Sequence, residues 1–256
     1  MINGNKKYYD AHIHIPMKYP LPYNTLKEEI TKSGIDGGLI IINNWQEENV
    51  FWDNYDRIQN GDLGFVPQVA YILDFKSEQW KDGFDKLEKY GIPYAIKLHP
   101  RISDITLSDF ETISSYIKEL KTNNIIVDNW VYGPRIENHI GTELTIYLSE
   151  KFSEKRIIMA HSGGVRILET MLLTRPLKNV YYDLAETCQY FKDTSVYKDI
   201  IHFINYTGKR IMFGSDYPDF SISYSVEMLE KELSESIVSD EIADGIRYRN
   251  AQEIYK

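Results

Sequence analysis

The residues in this sequence that could do chemistry begin with a pair of histidines, His12 and His14, in the apolar run 8–15. Residues two apart on a β-strand point to the same side, so both imidazoles can face one cation. Histidine nitrogens bind Zn²⁺ at about 2.0–2.1 Å. The spacing alone also arises by chance, so two ordinary surface or packing histidines are the alternative interpretation. The pair therefore predicts part of a metal site only if further ligands lie nearby.

Two later apolar runs are also followed by a reactive side chain. Run 157–160 leads into His161, then a serine and two glycines, which would let a ligand approach the backbone closely. Run 211–213 leads into Asp216, and an acidic residue just after an apolar strand must be solvated, paired or bound to metal. Capping of the next helix or turn is the alternative interpretation for both side chains.

The run 94–98 carries a lysine and is followed at once by a histidine. Lys97 and His99 share a face if the run is a strand. A lysine that points into a protein core needs an anionic partner, either a substrate carboxylate or a carboxylate on a neighbouring strand. Both interpretations stay open. With Arg101 in the following loop, Lys97 and His99 are candidates for holding an anionic substrate.

Eight short apolar runs alternate along the chain with amphipathic segments. The runs span residues 8–15, 38–42, 65–73, 94–98, 125–127, 157–160, 180–184 and 211–213. The amphipathic segments span residues 26–33, 77–90, 107–120, 141–152, 165–173, 196–206, 224–233 and 241–255. Near-continuous apolar strands that alternate with helices are typical of a buried parallel sheet. We therefore expect a single-domain (β/α)8 TIM barrel over residues 1–256, with functional side chains where strands end.

The composition narrows the classes of partner. The formal net charge is −9 without a cluster of Lys and Arg, which argues against a nucleic-acid surface. Residues 1–7 are polar and no stretch is as apolar as a membrane span, so we expect neither a signal peptide nor a membrane partner. The single cysteine, Cys188, cannot form an internal disulfide and suits the cytoplasm. We expect a small-molecule substrate, and a homo-oligomer is compatible with the sequence.

Taken together, these segments resemble the amidohydrolase superfamily, and within it the amidohydrolase-related group. The resemblance rests on Asp10-Ala11-His12-Ile13-His14, Lys97-Leu98-His99-Pro100, His161-Ser162-Gly163-Gly164, Gly214-Ser215-Asp216-Tyr217-Pro218 and the closing Asn250-Ala251. It implies one divalent metal, with Zn²⁺ preferred and Mn²⁺ as the second choice. His12, His14 and Asp216 would be its ligands. Asp216 would also take a proton from the attacking water. His161 would be a catalytic acid or base, or a ligand in dinuclear relatives.

The sequence departs from this family after the fifth run. Members usually carry a histidine there that completes the metal site, whereas this chain has Asp128. A carboxylate can bind Zn²⁺ or Mn²⁺ at about 2.0–2.2 Å, so Asp128 is a candidate ligand. Alternatively Asp128 pairs with Lys97, and metal binding is weak or lost. His139, in the following loop, is a less favoured metal ligand. A carbamylated Lys97 that bridges two metals is also less favoured than a single-metal site.

The resemblance implies hydrolysis of a C–N or C–O bond, of an amide or a lactone, in a small anionic substrate by metal-activated water. Asp216 and His161 would be the catalytic residues, His161 by stabilising an oxyanion or protonating the leaving group. Two alternatives keep the same barrel, a metal-independent lactonase with Asp216 as base and a non-oxidative decarboxylase. A third, of another class, is a non-catalytic binding barrel that has lost its metal site.

Overall fold

A computed structural model of the chain describes residues 6–130 and 140–256. Eight parallel strands follow one another in chain order, each hydrogen-bonded to the next. They are β1 Tyr9–His14, β2 Gly37–Ile42, β3 Gln68–Ile72, β4 Tyr94–Leu98, β5 Asn124–Asp128, β6 Arg156–Ala160, β7 Val180–Asp183 and β8 Ile211–Met212. Each of the eight apolar runs in the sequence contains or overlaps one strand.

The sheet closes between β8 and β1. Ala11 N donates to Phe213 O at 2.9 Å, and Asp216 N donates to His12 O at 3.0 Å. A parallel bridge between Ile13 and Tyr217 continues the contact beyond the end of β8. The expected single-chain TIM barrel is therefore confirmed, and its closure brings the segment after β8 against the end of β1.

Helices lie between the strands and around the barrel. They are α1 Pro22–Ser33, α2 Trp45–Asp53, α3 Tyr55–Gln59, α4 Asp82–Lys89, α5 Phe110–Glu119, α6 Ile140–Lys151, α7 Ile167–Thr174, α8 Thr187–Tyr190, α9 Val196–Thr207, α10 Ile222–Glu235, α11 Asp240–Asp244 and α12 Asn250–Ile254. The helix expected over residues 77–90 begins only at Asp82. Three helices, α2, α3 and α8, were not expected. In α2 only Glu47 and Phe51 are buried, so its apolar periodicity is faint.

The buried side chains form two layers, as a barrel requires. The layer inside the barrel includes Leu39, Ile41, Ala70, Ala95, Ile126, Ile158 and Met212. The layer between strands and helices includes Ile40, Ile96, Ile125, Ile157, Phe84, Ile113, Leu148 and Phe203. Alternate residues of one strand therefore serve different layers. No helix of the described residues is long and apolar enough to span a membrane.

The C-terminal helix covers the end of the barrel where the strands begin. Ala251 and Ile254 of α12 pack with the inner layer. The side chains of Asn124 and Arg156, at the starts of β5 and β6, both donate to Ile254 O at 2.8 Å. With this end covered, the opposite end, where the strands finish, is the one left for a site.

A buried acid in α10 lies outside the barrel. Glu232 is fully buried, and neither of its carboxyl oxygens has an N–H or O–H partner among the described residues. The thiol of Cys188, in α8, is one polar group that faces it. Burial raises the pKa of Glu232 to about 8. The folded protein therefore holds Glu232 as the neutral acid at neutral pH.

This burial predicts a pH-dependent stability. The folded state binds a proton that the unfolded state releases above its ordinary pKa, so Glu232 costs stability as pH rises from about 4.5 to about 8. Replacing Glu232 with Gln should remove this loss, which is at most about 1.4 kcal/mol per pH unit. Urea unfolding at a series of pH values measures it, with Glu227→Gln, exposed on the same helix, as control. Parallel pH profiles for the wild type and Glu232→Gln would contradict this assignment.

Candidate active site

The strand ends selected from the sequence converge on one cavity at the open end of the barrel. Its volume is about 630 Å³. His14 and Asp128 line it from β1 and β5, and His99, His161 and Asp216 line it from the segments after β4, β6 and β8. Side chains far apart in the sequence thus share one pocket, as the barrel predicts.

Three candidate ligand atoms, two of them in residues that line this cavity, lie close to one another. His12 Nε2 lies 3.4 Å and His14 Nε2 lies 3.3 Å from Oδ1 of Asp216. The ligating atoms of this group all lie within 4.8 Å of one another. His12 Nε2 is fully buried and has no hydrogen-bond partner among the described residues. Two imidazoles and one carboxylate around such an atom fit a divalent cation, and three protein ligands with an open position are the pattern of catalytic zinc.

A register shift within β1 determines which way these histidines point. The register against β2 shifts between Asp10 and Ile13. Ala11 belongs to the inner layer, whereas Ile13 belongs to the outer one. An irregularity of this kind re-aims the side chains beyond it. It places His12 and His14 on the cavity side, with ring centroids 5.2 Å apart.

Asp183, at the end of β7, fixes the tautomer of His12. Its Oδ2 lies 3.0 Å from His12 Nδ1, so Nδ1 carries the hydrogen and Nε2 keeps its lone pair. Burial first, and then Lys97, lower the pKa of His12 to about 4. The neutral imidazole is the form that binds metal, and a carboxylate behind a ligating histidine is a common supporting group. Oδ1 of Asp183 accepts the backbone N–H of His161 at 2.8 Å.

Asp128 lies in a second group of side chains. Its Oδ2 accepts from Lys97 Nζ at 3.0 Å and from His161 Nε2 at 3.2 Å, and it lies 3.7 Å from His99 Nε2. Burial alone raises the pKa of Asp128, but His99, Lys97 and His161 outweigh burial and hold it well below its usual range. The pairing with Lys97 considered from the sequence is the arrangement in the structure. A metal bond from Asp128 stays a prediction.

His161 is held as a cation. Nε2 donates to Asp128, and Nδ1 donates to Ala185 O at 3.0 Å. Burial lowers the pKa of His161, but the Asp128 carboxylate outweighs burial, and the net effect raises it to about 10. Both ring nitrogens thus have acceptors, so this side chain has a proton to give and no free lone pair.

The three candidates for substrate binding have separate environments. His99 lines the cavity and is neutral, since burial lowers its pKa to about 4. Its Nδ1 accepts the backbone N–H of Ile102 at 3.3 Å. Lys97 is buried against Asp128 and does not line the cavity. Arg101 lines a smaller neighbouring cavity of about 60 Å³. His139 lies outside the described residues.

Sequence reasoning missed several residues of this site. Asp183 could have been predicted in the same way as Asp216, because it too is an acidic residue at the end of an apolar run. Glu186 lies three residues further on and also lines the cavity. Burial first, and then the charge of Asp216, raise the pKa of Glu186 to about 8. A cation held by Asp216 would offset that repulsion and favour the ionised form of Glu186.

The backbone is strained where these acids and bases lie. His161, Glu186 and Asp216 have φ angles of 60°, 62° and 57°, in the left-handed region that non-glycine residues rarely adopt. Their ligating atoms lie within 4.8 Å of one another. Strained residues of this kind concentrate at functional sites, where the surrounding structure holds them in place. Glu186 shares this feature with the two predicted catalytic residues.

Comparisons with known proteins agree with the fold and indicate the family. The family model described as amidohydrolase matches residues 60–256. A TIM-barrel protein from Bordetella bronchiseptica has 15% identity and a TM-score of 0.71, covering 97% of this chain and 98% of that one. Dihydroorotase from Campylobacter jejuni has 14% identity and a TM-score of 0.66, with coverage of 98% and 83%. For N-isopropylammelide isopropylaminohydrolase from Burkholderia multivorans the identity is 8%, the TM-score 0.64 and the coverage 96% and 73%. No curated protein matches the chain.

The buried ion pair gives a stability prediction. Asp128→Asn leaves Lys97 buried without its carboxylate, so we expect the free energy of unfolding to fall by about 3–5 kcal/mol. Adding Lys97→Met should recover much of the loss, since the uncompensated charge is removed. Glu119→Gln breaks an exposed pair with Lys81 and should cost less than about 1 kcal/mol. Urea unfolding of Asp128→Asn, Lys97→Met, the double variant and Glu119→Gln, each against the wild type, checks this. A loss in the double variant equal to the sum of the two single losses would refute the coupling.

Proposed function

The chain belongs to the amidohydrolase family, and from that premise we propose that it is a metal-dependent hydrolase of a C–N or C–O bond in a small molecule. The observation that carries the proposal is the convergence of His12 Nε2, His14 Nε2 and Asp216 Oδ1. His12 Nε2 is buried and has no hydrogen-bond partner among the described residues. Nitrogen and oxygen donors in this number suit Zn²⁺, with Mn²⁺ as the second choice.

The proposed ligands are His12, His14 and Asp216. When bound, the cation supplies Lewis acidity, which polarises the substrate oxygen and makes water more acidic. Asp183 holds His12 in the ligating tautomer by accepting its Nδ1 hydrogen. In this proposal Asp128 pairs with Lys97 and His161, and a metal bond from Asp128 is the alternative that zinc binding by Asp128→Asn tests.

Asp216 and His161 have different tasks in the proton transfers. The Asp216 carboxylate takes the proton of the attacking water, as a base held at the reacting centre. His161 is the imidazolium described above and gives a proton to the departing nitrogen or oxygen. Asp128 sustains this role, because its carboxylate stabilises the charge on His161 before the transfer.

The ligand set can be tested by metal binding alone. The purified wild type should hold about one zinc per chain by mass spectrometry, and His14→Ala should lose it. Asp183→Asn should weaken zinc binding by about 10–100-fold, because the support behind His12 is weakened. The exposed Asp193→Asn is the matched control. Unchanged affinity in Asp183→Asn would contradict the supporting role, and loss of zinc from folded Asp128→Asn would make Asp128 a ligand.

Turnover tests the reaction. We expect hydrolysis of at least one member of a panel of amides, cyclic amides and lactones, lost on chelation and restored by Zn²⁺ or Mn²⁺. His161→Gln should lower kcat by about 100-fold or more if it is the general acid. Undiminished turnover after complete removal of metal would favour the metal-independent lactonase. Release of CO₂ from unsaturated or aromatic acids would favour the decarboxylase. Zinc binding without any turnover would favour the non-catalytic binding barrel.

A further inference from the structure

The two histidines proposed as metal ligands have different neighbours at their other ring nitrogen. His12 Nδ1 lies 3.0 Å from the carboxylate of Asp183. His14 directs Nε2 toward Asp216, and the amide nitrogen of Asn43 lies 3.5 Å from its Nδ1. A carboxylate only accepts hydrogen bonds, whereas an amide accepts at its oxygen and donates at its nitrogen. The two histidines are therefore supported in different ways.

The sheet places Asn43 beside His14. Ile41 in β2 is the register partner of His14 in β1, and both Leu39 and Ile41 belong to the layer inside the barrel. Residues two apart on a strand point to the same side. Asn43, just beyond the end of β2, continues this row at the open end of the barrel. His14 and Asn43 both line the cavity, so their contact follows from the pairing of β1 with β2.

The backbone of Asn43 is held in place, while no donor fixes the orientation of its amide. Its N–H donates to Oε2 of Glu47 at 2.7 Å, and Asn44 Nδ2 donates to Oε1 of the same carboxylate at 2.8 Å. Asn44 also caps α2 through its Oδ1. In contrast, Oδ1 of Asn43 is buried and has no hydrogen-bond partner within residues 6–130 and 140–256. The orientation of the amide is therefore decided at its contact with His14.

Metal binding by His14 requires an acceptor at its Nδ1. A neutral imidazole has one N–H and one lone pair, so a histidine that binds a cation through Nε2 carries its hydrogen on Nδ1. The amide nitrogen of Asn43 cannot accept that hydrogen, but its oxygen can. Half a turn of the amide exchanges the two atoms, because they have nearly the same shape. Asn43 can thus serve His14 both without a metal and with one.

We infer that Asn43 is the positioning residue for His14, and that its amide oxygen accepts the Nδ1 hydrogen when Nε2 binds the metal. The inference rests on the proposed function, because it concerns the ligand that His14 provides there. Asp183 only accepts, so it favours the ligating form of His12 with or without a metal. Binding through His14 is instead accompanied by half a turn of the Asn43 amide.

The zinc affinity of the whole protein, measured by competition with a chelator, tests this inference. Asn43→Leu roughly keeps the size of the side chain and removes its hydrogen-bonding groups, so zinc binding should weaken about 10–100-fold. Asn43→Ala should weaken it by a similar factor. Asn43→Asp should bind zinc at least as tightly as the wild type, because a carboxylate accepts the Nδ1 hydrogen as Asp183 does for His12.

NMR of zinc-loaded protein with ¹⁵N-labelled histidine reads the hydrogen bond directly. Asn43→Leu should shift the Nδ1–H signal of His14 and leave that of His12, which Asp183 holds, in place. Asn44→Ala is the matched control, since it removes the cap of α2 next to Asn43 and should change the zinc affinity by less than about twofold. Urea unfolding without zinc identifies the variants that fold.

The outcomes separate the role of Asn43 from the proposed function. Unchanged zinc affinity in a folded Asn43 variant, an equal loss in Asn44→Ala, or a His14 signal that does not move would each overturn the inference, even in a zinc-dependent hydrolase. Zinc binding that depends on Asn43 without any turnover would support the inference and refute the proposed hydrolysis. A wild type that binds no zinc would refute both.

Discussion

The carboxylate of Asp10 joins the two parts of the barrel on which the candidate metal site depends. Its Oδ1 accepts the backbone N–H groups of His12 and Ser215, each at 3.0 Å. The first N–H lies at the register shift in β1, and the second lies just after β8. Asp10 therefore supplies a hydrogen-bond acceptor to the irregular backbone at both places. Burial raises the pKa of Asp10 to about 7, against the effect of these hydrogen bonds. Because His14 and Asp216 lie within a few residues, the geometry of all three proposed ligands depends on this junction.

Two charge networks share the end of the barrel, and the backbone N–H of His161 joins them by donating to Oδ1 of Asp183 at 2.8 Å. In one, Asp183 orients a neutral His12 toward Asp216. In the other, Asp128 holds Lys97 and a protonated His161. The first provides lone pairs and the second provides protons, which are the two things that metal-assisted hydrolysis needs. A buried carboxylate and a buried ammonium are each costly alone, and their pairing allows both to lie under the cavity.

The cavity wall follows from what surrounds these networks. Left-handed backbone at His161 and Glu186 turns the chain sharply after β6 and β7. The first turn leads to Gly164, which leaves space for the indole of Trp130, and the second leads into α8 with Tyr190. Glu186 and the rings of Trp130 and Tyr190 consequently line the same cavity as His14 and Asp216. The same strained turns that position the proposed catalytic groups thus shape the wall of the cavity.

The sequence by itself determined the barrel, because near-continuous apolar runs separated by amphipathic segments have few ways to bury their surface. It also indicated His12, His14, His161 and Asp216, since polar residues after buried strands must gather at one end of a barrel. Only the tertiary structure decided the partners. The contact of Asp128 with Lys97, at 3.0 Å, joins residues 31 positions apart, and the contact of His12 with Asp183 spans 171 positions. Hydrogen bonds and ion pairs are decided over a few tenths of an ångström between side chains on different strands, which no local pattern specifies.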